Sequence, residues 1–298
     1  MEYGVIDIGS NTIRLCIYKE QDNDYVRLLN TKDTAGLVGY RKDGYMTAEG
    51  VDKACAVLNK FKNTLSIIQI EKLFVFTTAS LRNIKNSLSV IQEIEIRTGF
   101  AIDLISGEQE AKLGFTGASK INKLRNGLLI DIGGGSTELL EYEDGEVKDC
   151  VSLQFGSLSL YSTYVDDVFP DKKEYKEISE HVKNQLEEID FIKNRSIETI
   201  LGIGGSIRTV RKMCMKKYKI EDKEFNCEHL SNMLKYTKEE PKEATQLILK
   251  VAPERIHTAI PGMIIADEIA KYINARKIIV SSFGLREGYL YEKLKSGI

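Results

Sequence analysis

The chain is expected to fold as two related α/β domains whose polar loops converge on a cleft between them. Asp7-Ile8-Gly9 closes an apolar run in GVIDIGSNTIRL, and the same tripeptide returns as Asp131-Ile132-Gly133 in LLIDIGGGSTELL. Each copy is followed by strand, helix and strand, the pattern of a parallel sheet covered by helices. At 298 residues the chain exceeds one small domain and suits two with sizeable cores.

The elements follow in order. Each Asp-Ile-Gly continues through small polar residues into a strand, TIRLCIY and then STELLEYE, and each strand meets a turn signal, QDND and EDG. In AEGVDKACAVLNKFKNTLSIIQI, residues Val51, Cys55, Leu58, Phe61, Leu65 and Ile68 recur at helical spacing. KLFVFTTAS reads as a buried strand, SVIQEIEIRTGF as a helix closing at Gly99, and AIDLISG as a second strand. In the second half, the charged stretch 166–195 reads as a solvent-facing helix. SIETILGIGGSIRTV reads as strand, glycine turn and helix. PERIHTAIPGMIIADEIAKYI is a helical segment interrupted by proline, and KIIVSSFGLREGYLYEKL a final strand and helix. The domain boundary is expected between residues 115 and 127.

Composition narrows the function. A net charge of −2 offers no bulk attraction for nucleic acid or an anionic membrane, so any polyanion has to be gripped locally. The five cysteines are odd in number and form no C-x-x-C pair, which points to buried thiols rather than zinc or a disulfide framework. MEYGVIDIG lacks the features of a signal peptide, and no apolar run reaches the ~20 residues of a membrane span. A cytoplasmic protein is expected.

Three glycine turns carry the chemistry: DIGSNT, DIGGGST and GIGGSIRT, the last containing Gly204 and Gly205. Successive N–H groups in such a turn form a concave, positive nest suited to phosphate, and the missing side chains let the anion approach. GIGGSIRT does not continue as a dinucleotide fingerprint, and no Walker lysine motif occurs. Asp7 and Asp131 stand at the ends of apolar strands, where an unpaired charge is costly and a hard divalent cation is a natural partner. Magnesium takes one or two carboxylates while touching substrate phosphates, and Glu138 on the returning strand is a further candidate ligand.

DIGSNTIRL, TTASLRN, ISGEQEA, IDIGGGSTEL, GIGGSIRT and SSFGLREG resemble, in order, the motifs of the exopolyphosphatase/guanosine pentaphosphatase family, in the acetate kinase, actin and sugar kinase superfamily. The resemblance runs from residue 5 to about 292, in the short two-domain form. It implies two ribonuclease H-like domains with a phosphate-binding cleft, residues 1–120 and 121–298, the last helix (about 285–298) being able to pack back onto the first. It implies Glu110 as the catalytic glutamate, with Glu108 nearby, and Arg82 as the phosphate-gripping arginine. Ser10, Asn11 and Thr12, and Gly134, Gly135, Ser136 and Thr137, correspond to its phosphate loops, and Asp131 and Glu138 to its magnesium-binding acids, with Mn2+ as the alternative ion. Arg286 and Glu287 are open to a structural or a functional role, and Ser282 stands where the family often has aspartate. The implied activity is removal of terminal orthophosphate from inorganic polyphosphate. Guanosine pentaphosphate (pppGpp) hydrolysis, a superfamily kinase or ATPase, and a non-catalytic sensor of polyphosphate or alarmones are the alternatives. A homodimer follows from the resemblance alone.

Two weaker signals complete the sequence. His181, His229 and His257 make no metal spacing and read as ordinary histidines. Arg208, Arg211, Lys212, Lys216, Lys217 and Lys219 form a basic run, either a solvated helix face or a guide for long polyphosphate.

Overall fold

The computed structural model describes residues 1–22 and 24–295. The chain forms two compact units, Met1–Ser106 and Gly107–Ile298.

In the first unit, β1 (Glu2–Ile8), β2 (Thr12–Gln21) and β3 (Asp24–Thr34) make an antiparallel meander. A small hairpin, β4 (Arg41–Lys42) and β5 (Tyr45–Met46), precedes helix α1 (Ala48–Leu65). Strand β6 (Lys72–Thr77), the one-turn helix α2 (Ala79–Arg82), helix α3 (Ser87–Thr98) and strand β7 (Asp103–Leu104) follow. The sheet runs β3-β2-β1-β6-β7, with β6 parallel to both β1 and β7. Val5, Ile6, Ile8, Ile13, Leu15 and Ile17 are fully buried, which is why these strands read as continuous apolar runs. Helix α1 buries Val51, Ala54, Cys55, Leu58 and Phe61, the stripe its spacing predicts. Gly99, with φ +74°, ends α3 in a left-handed conformation that suits glycine.

The second unit opens with helix α4 (Gly107–Ser119) and a second meander, β8 (Gly127–Ile132), β9 (Thr137–Glu143) and β10 (Glu146–Leu153). Helices α5 (Ser157–Tyr164) and α6 (Lys172–Glu187) lead to β11 (Thr199–Ile203) and α7 (Gly204–Tyr218). Then come β12 (Glu224–Asn226), α8 (Cys227–Glu239), α9 (Pro241–Val251), α10 (Ala259–Tyr272), β13 (Lys277–Val280) and α11 (Leu285–Lys295). Its sheet runs β10-β9-β8-β11-β13-β12. The first five strands repeat the order of the first unit: a meander, then two parallel strands added beyond its first strand. Both units are therefore ribonuclease H-like α/β bodies.

The structure departs from the expected elements in four places. The unit boundary falls at Ser106/Gly107 rather than near residue 120, so Gly107–Ser119 belongs to the second unit. The cause is its packing: α4 lies against α11, with Gly117 facing the backbone of Gly284 and Gly288. The charged stretch 166–195 is not a wholly solvated helix. Its α-helix spans only 172–187, followed by a 3-10 turn at Asp190–Ile192, and Ile178, Val182 and Leu186 are buried. AIDLISG contributes a strand of two residues, since only Asp103 and Leu104 pair with β6. The proline interruption is mild, because Pro261 occupies the first turn of α10, where its missing N–H costs no helical hydrogen bond.

Candidate active site

The second unit assembles its site around the β8–β9 hairpin. Asp131 is the cross-strand partner of Glu138 and, on its other side, lies opposite Ile203 of β11. The next residue, Gly204, opens α7 at φ +79°, and a Cβ there would collide with the Asp131 carboxylate. Glycine is thus required twice over, for the backbone conformation and for the close approach. Gly204→Ala is expected to lower kcat/KM by about 10²-fold by displacing the Asp131 carboxylate, into which a Cβ there would run. Gly99→Ala, at the other positive φ discussed above, should cost stability without that kinetic effect; steady-state rates with melting temperatures separate the two.

Glu138 is 1% exposed and accepts a hydrogen bond from Ser152 Oγ at 2.8 Å. Burial pushes its pKa well above the usual carboxylate range, and the charges of Glu110 and Asp131 push in the same direction; hydrogen bonds from Ser136 and Ser152 oppose them. Glu110 belongs to this acidic cluster. It lies in the first turn of α4 and is 7% exposed, whereas Glu108 is exposed, bonded to Lys112 at 2.5 Å, and held below its ordinary pKa by that hydrogen bond. The two glutamates of ISGEQEA are therefore distinguished by burial.

The glycine loop is oriented by its carbonyls. Gly133 N–H closes the turn onto Ser136 O at 3.0 Å. Gly133 O accepts from Ser157 N at 2.9 Å and Ser157 Oγ at 3.0 Å, while Gly134 O accepts from the amides of Leu158 and Ser159. In a trans peptide the N–H points opposite the preceding carbonyl. With both carbonyls turned toward the start of α5, the amides of Gly134 and Gly135 point the other way, as an anion nest requires. Ser136 is buried and bonds Glu138. Thr137 is fully buried and its hydroxyl donates to Phe155 O at 2.9 Å, so it braces the loop through its side chain.

The first unit holds the counterpart. Gly9 N–H donates to Thr12 O at 3.1 Å, closing the turn as Gly133 does. Ser10 O accepts from Val38 N, and Asn11 O from the amides of Ala35 and Gly36, which turns the Asn11 N–H outward. Ser10 is 7% exposed, and Asn11 and Thr12 are half-buried. Asp7 lies opposite Arg14 on β2. Thr77 and Ser80 hydroxyls donate to Ile8 O at 3.1 and 2.5 Å, tying the end of β1 to the turn that carries Arg82. Arg82 is half-buried and its Nη1 donates to Ile105 O at 2.8 Å.

Ser206 repeats this device in the second unit, donating to Ile132 O at 2.8 Å. GIGGS is therefore the structural equivalent of TTAS, not of the two Asp-Ile-Gly loops. Spacing did not reveal Arg255, whose guanidinium lies against Gly205 with Nη1 3.5 Å from Ser206 Oγ. It reaches the turn from a short 3-10 segment, Pro253–Arg255, far along the chain.

The donor set fits a magnesium-type ion. Asp131 and Glu138 face each other across the hairpin, and a cation between them would offset the neighbouring negative charge that, with burial, raises the pKa of Glu138. Among the described residues no group of three or more Asp, Glu, His or Cys side chains forms a ready-made metal cage. Two carboxylates suffice for an ion that keeps waters and touches phosphate oxygens. Asp7 belongs to the first unit.

The basic run is partly engaged within the protein. Lys217 lies over the Tyr236 ring at 3.7 Å, Arg211 donates to Asp222 O, and Arg208 donates to Ser282 O. The histidines pack on aromatic rings: His181 on Phe155 and Tyr164, His257 on Tyr161, and His229 on Tyr218. Glu287 accepts from Gly284 N at 2.9 Å, capping the start of α11. Among the described residues no helix is long and apolar enough to cross a membrane.

Two α/β bodies of one strand order, each with a glycine turn whose amides point outward, define a phosphate-handling protein. Comparison with known proteins agrees. The chain belongs to the Ppx/GppA phosphatase family, whose sequence model matches residues 16–297, and it is accordingly a phosphatase, a hydrolase. The matched segment begins just after the DIGSNT loop. Among solved structures it is similar to an exopolyphosphatase from Cytophaga hutchinsonii, at 22% identity and a TM-score of 0.86 over 99% of this chain and 98% of that one. It is also similar to the Aquifex aeolicus member of the Ppx/GppA family, at 23% identity and a TM-score of 0.81 over 100% and 98%. At these identities the likeness is one of fold.

Proposed function

We propose that the protein is an exopolyphosphatase, releasing terminal orthophosphate from inorganic polyphosphate. The observation that carries this reading is the placement of Glu110, withdrawn from solvent and grouped with Asp131 and Glu138 beside the glycine loop. The Glu110 carboxylate orients a water and accepts its proton as the water oxygen bonds to the terminal phosphorus. The bridging P–O bond breaks on the opposite side, and a chain one phosphate shorter leaves. The amides of Gly134 and Gly135 hold the oxygens of the transferring group and stabilise charge that builds there. Asp131 and Glu138 would hold Mg2+, which supplies charge neutralisation at those oxygens when bound. In the first unit, the Ser10–Thr12 turn and the Arg82 fork are assigned to phosphate binding, as the family resemblance implies.

Guanosine pentaphosphate presents the same terminal phosphoanhydride to the same groups, so the decisive experiment compares substrates. Phosphate release is measured from long-chain polyphosphate, tripolyphosphate, guanosine pentaphosphate and ATP, with and without Mg2+. Highest kcat/KM on polyphosphate, dependent on Mg2+, is the expected result. Preference for guanosine pentaphosphate would replace the substrate and keep the machinery. Tight binding with no release from any of the four would make the chain a sensor and overturn the enzymatic reading.

A further inference from the structure

Arg41 sits at the start of the β4–β5 hairpin in the first unit. Its Nη2 donates to two successive carbonyls, Ala79 O and Ser80 O, each at 2.7 Å. Both belong to α2, the single turn that ends in Arg82. A helix of one turn has almost no internal hydrogen bonding, so its carbonyls need partners from elsewhere. The same hairpin grips the chain just beyond α2. Lys85 N donates to Gly44 O at 2.8 Å. The Asn86 side chain accepts from Met46 N at 2.9 Å and donates to Met46 O at 3.0 Å. The segment leading into the hairpin is tied to the first glycine turn, through Ala35 and Gly36 amides on Asn11 O and the Val38 amide on Ser10 O. Residues 35–46 therefore strap the DIGSNT turn to the turn that carries Arg82.

Keeping an arginine there has a physical cost. The guanidinium is half-buried, burial lowers its pKa, and Nε is sealed from water with no acceptor among the described residues. An apolar side chain would fill the same space without that penalty. What it would not do is hold two adjacent carbonyls from one charged nitrogen.

We propose that Arg41 is a positioning residue for Arg82: it fixes the one-turn helix so that the Arg82 guanidinium is held ready for phosphate. The inference rests on the phosphate-gripping role assigned to Arg82 above.

The test is a double-mutant cycle on phosphate release from polyphosphate, using Arg41→Met, Arg82→Ala and the pair. Arg41→Met is expected to lower kcat/KM by about tenfold, chiefly by raising KM, as a small misplacement of a substrate-binding group does. In the Arg82→Ala background the same substitution should cost less than about twofold, because residues that act as a unit are not additive. Should Arg41→Met fail to fold, Arg41→Lys serves. It keeps the stem and charge but not the planar fork, and should give a smaller loss with the same dependence on Arg82. Equal losses with and without Arg82, or an unchanged kcat/KM for folded Arg41→Met, would overturn the inference and leave the function standing. An unsubstituted protein that releases no phosphate from any substrate would instead overturn the function, and this inference with it.

Discussion

Glu110→Gln is expected to lower phosphate release by about 10²–10⁴-fold, the range spanned by removing a positioned general base. The substitution is nearly isosteric. It preserves packing at a residue 7% exposed and removes one negative charge from the cluster acting on Glu138. Substrate affinity should therefore hold or improve, because polyphosphate is itself anionic, while kcat falls. Glu108→Gln is the control: Glu108 is exposed and bonded to Lys112 on the same helix, so losing that solvent-screened ion pair should leave phosphate release nearly unchanged. Single-turnover release of orthophosphate, with polyphosphate binding measured in parallel, checks both. Wild-type kcat in Glu110→Gln would sink the mechanism.

Gly288→Ala should unfold the second unit at a markedly lower temperature. A Cβ on Gly288 would run into the backbone carbonyl of Leu113 and crowd the amide of Gly117, so α4 and α11 would have to separate. Main chain cannot rotate aside as a side chain can. Overpacking of this kind costs roughly 3 kcal/mol even after alanine's better helix propensity is counted. For a body of this size that corresponds to a fall in Tm of about 6–12 °C. Gly114→Ala, on α4, faces only the Cδ1 of Ile203, the end of a flexible side chain, and should shift Tm far less. Thermal melts of the two variants side by side decide it, and equal shifts would show that the helix contact is not what glycine serves.

The same helix pair explains why the boundary between the units is not legible in local sequence. ISGEQEAKLGFTGAS follows the first unit's last strand without a break in composition, and local pattern assigns it to what precedes it. Two of its glycines, Gly114 and Gly117, have their contacts with Ile203 and Gly284, residues distant in the chain. The equivalence of TTAS and GIGGS was hidden for a related reason. The two share little beyond a serine, and their likeness lies in hydroxyls that bond Ile8 O and Ile132 O at matching strand ends. Arg255 left no mark at all in local pattern, because it comes to Gly205 across the fold.

What periodicity and spacing could decide, they did. Apolar runs ending in Asp-Ile-Gly marked β1 and β8, and the repetition of that tripeptide announced two bodies of one design. Turn residues placed the hairpins, with Asp144 and Gly145 both at positive φ as EDG suggests. These features are encoded within a few residues, by sterics and by the alternation of burial. The direction of the loop amides is not. It depends on carbonyls captured by segments tens of residues away, Ser157–Ser159 for one loop and Ala35–Val38 for the other. Nor could spacing separate Glu110 from Glu108, since burial is a property of packing and both precede the same apolar stripe. The kind of chemistry is thus written locally, as glycines and carboxylates at strand ends, whereas which atoms perform it is settled by long-range contacts that desolvate some groups and leave others in water.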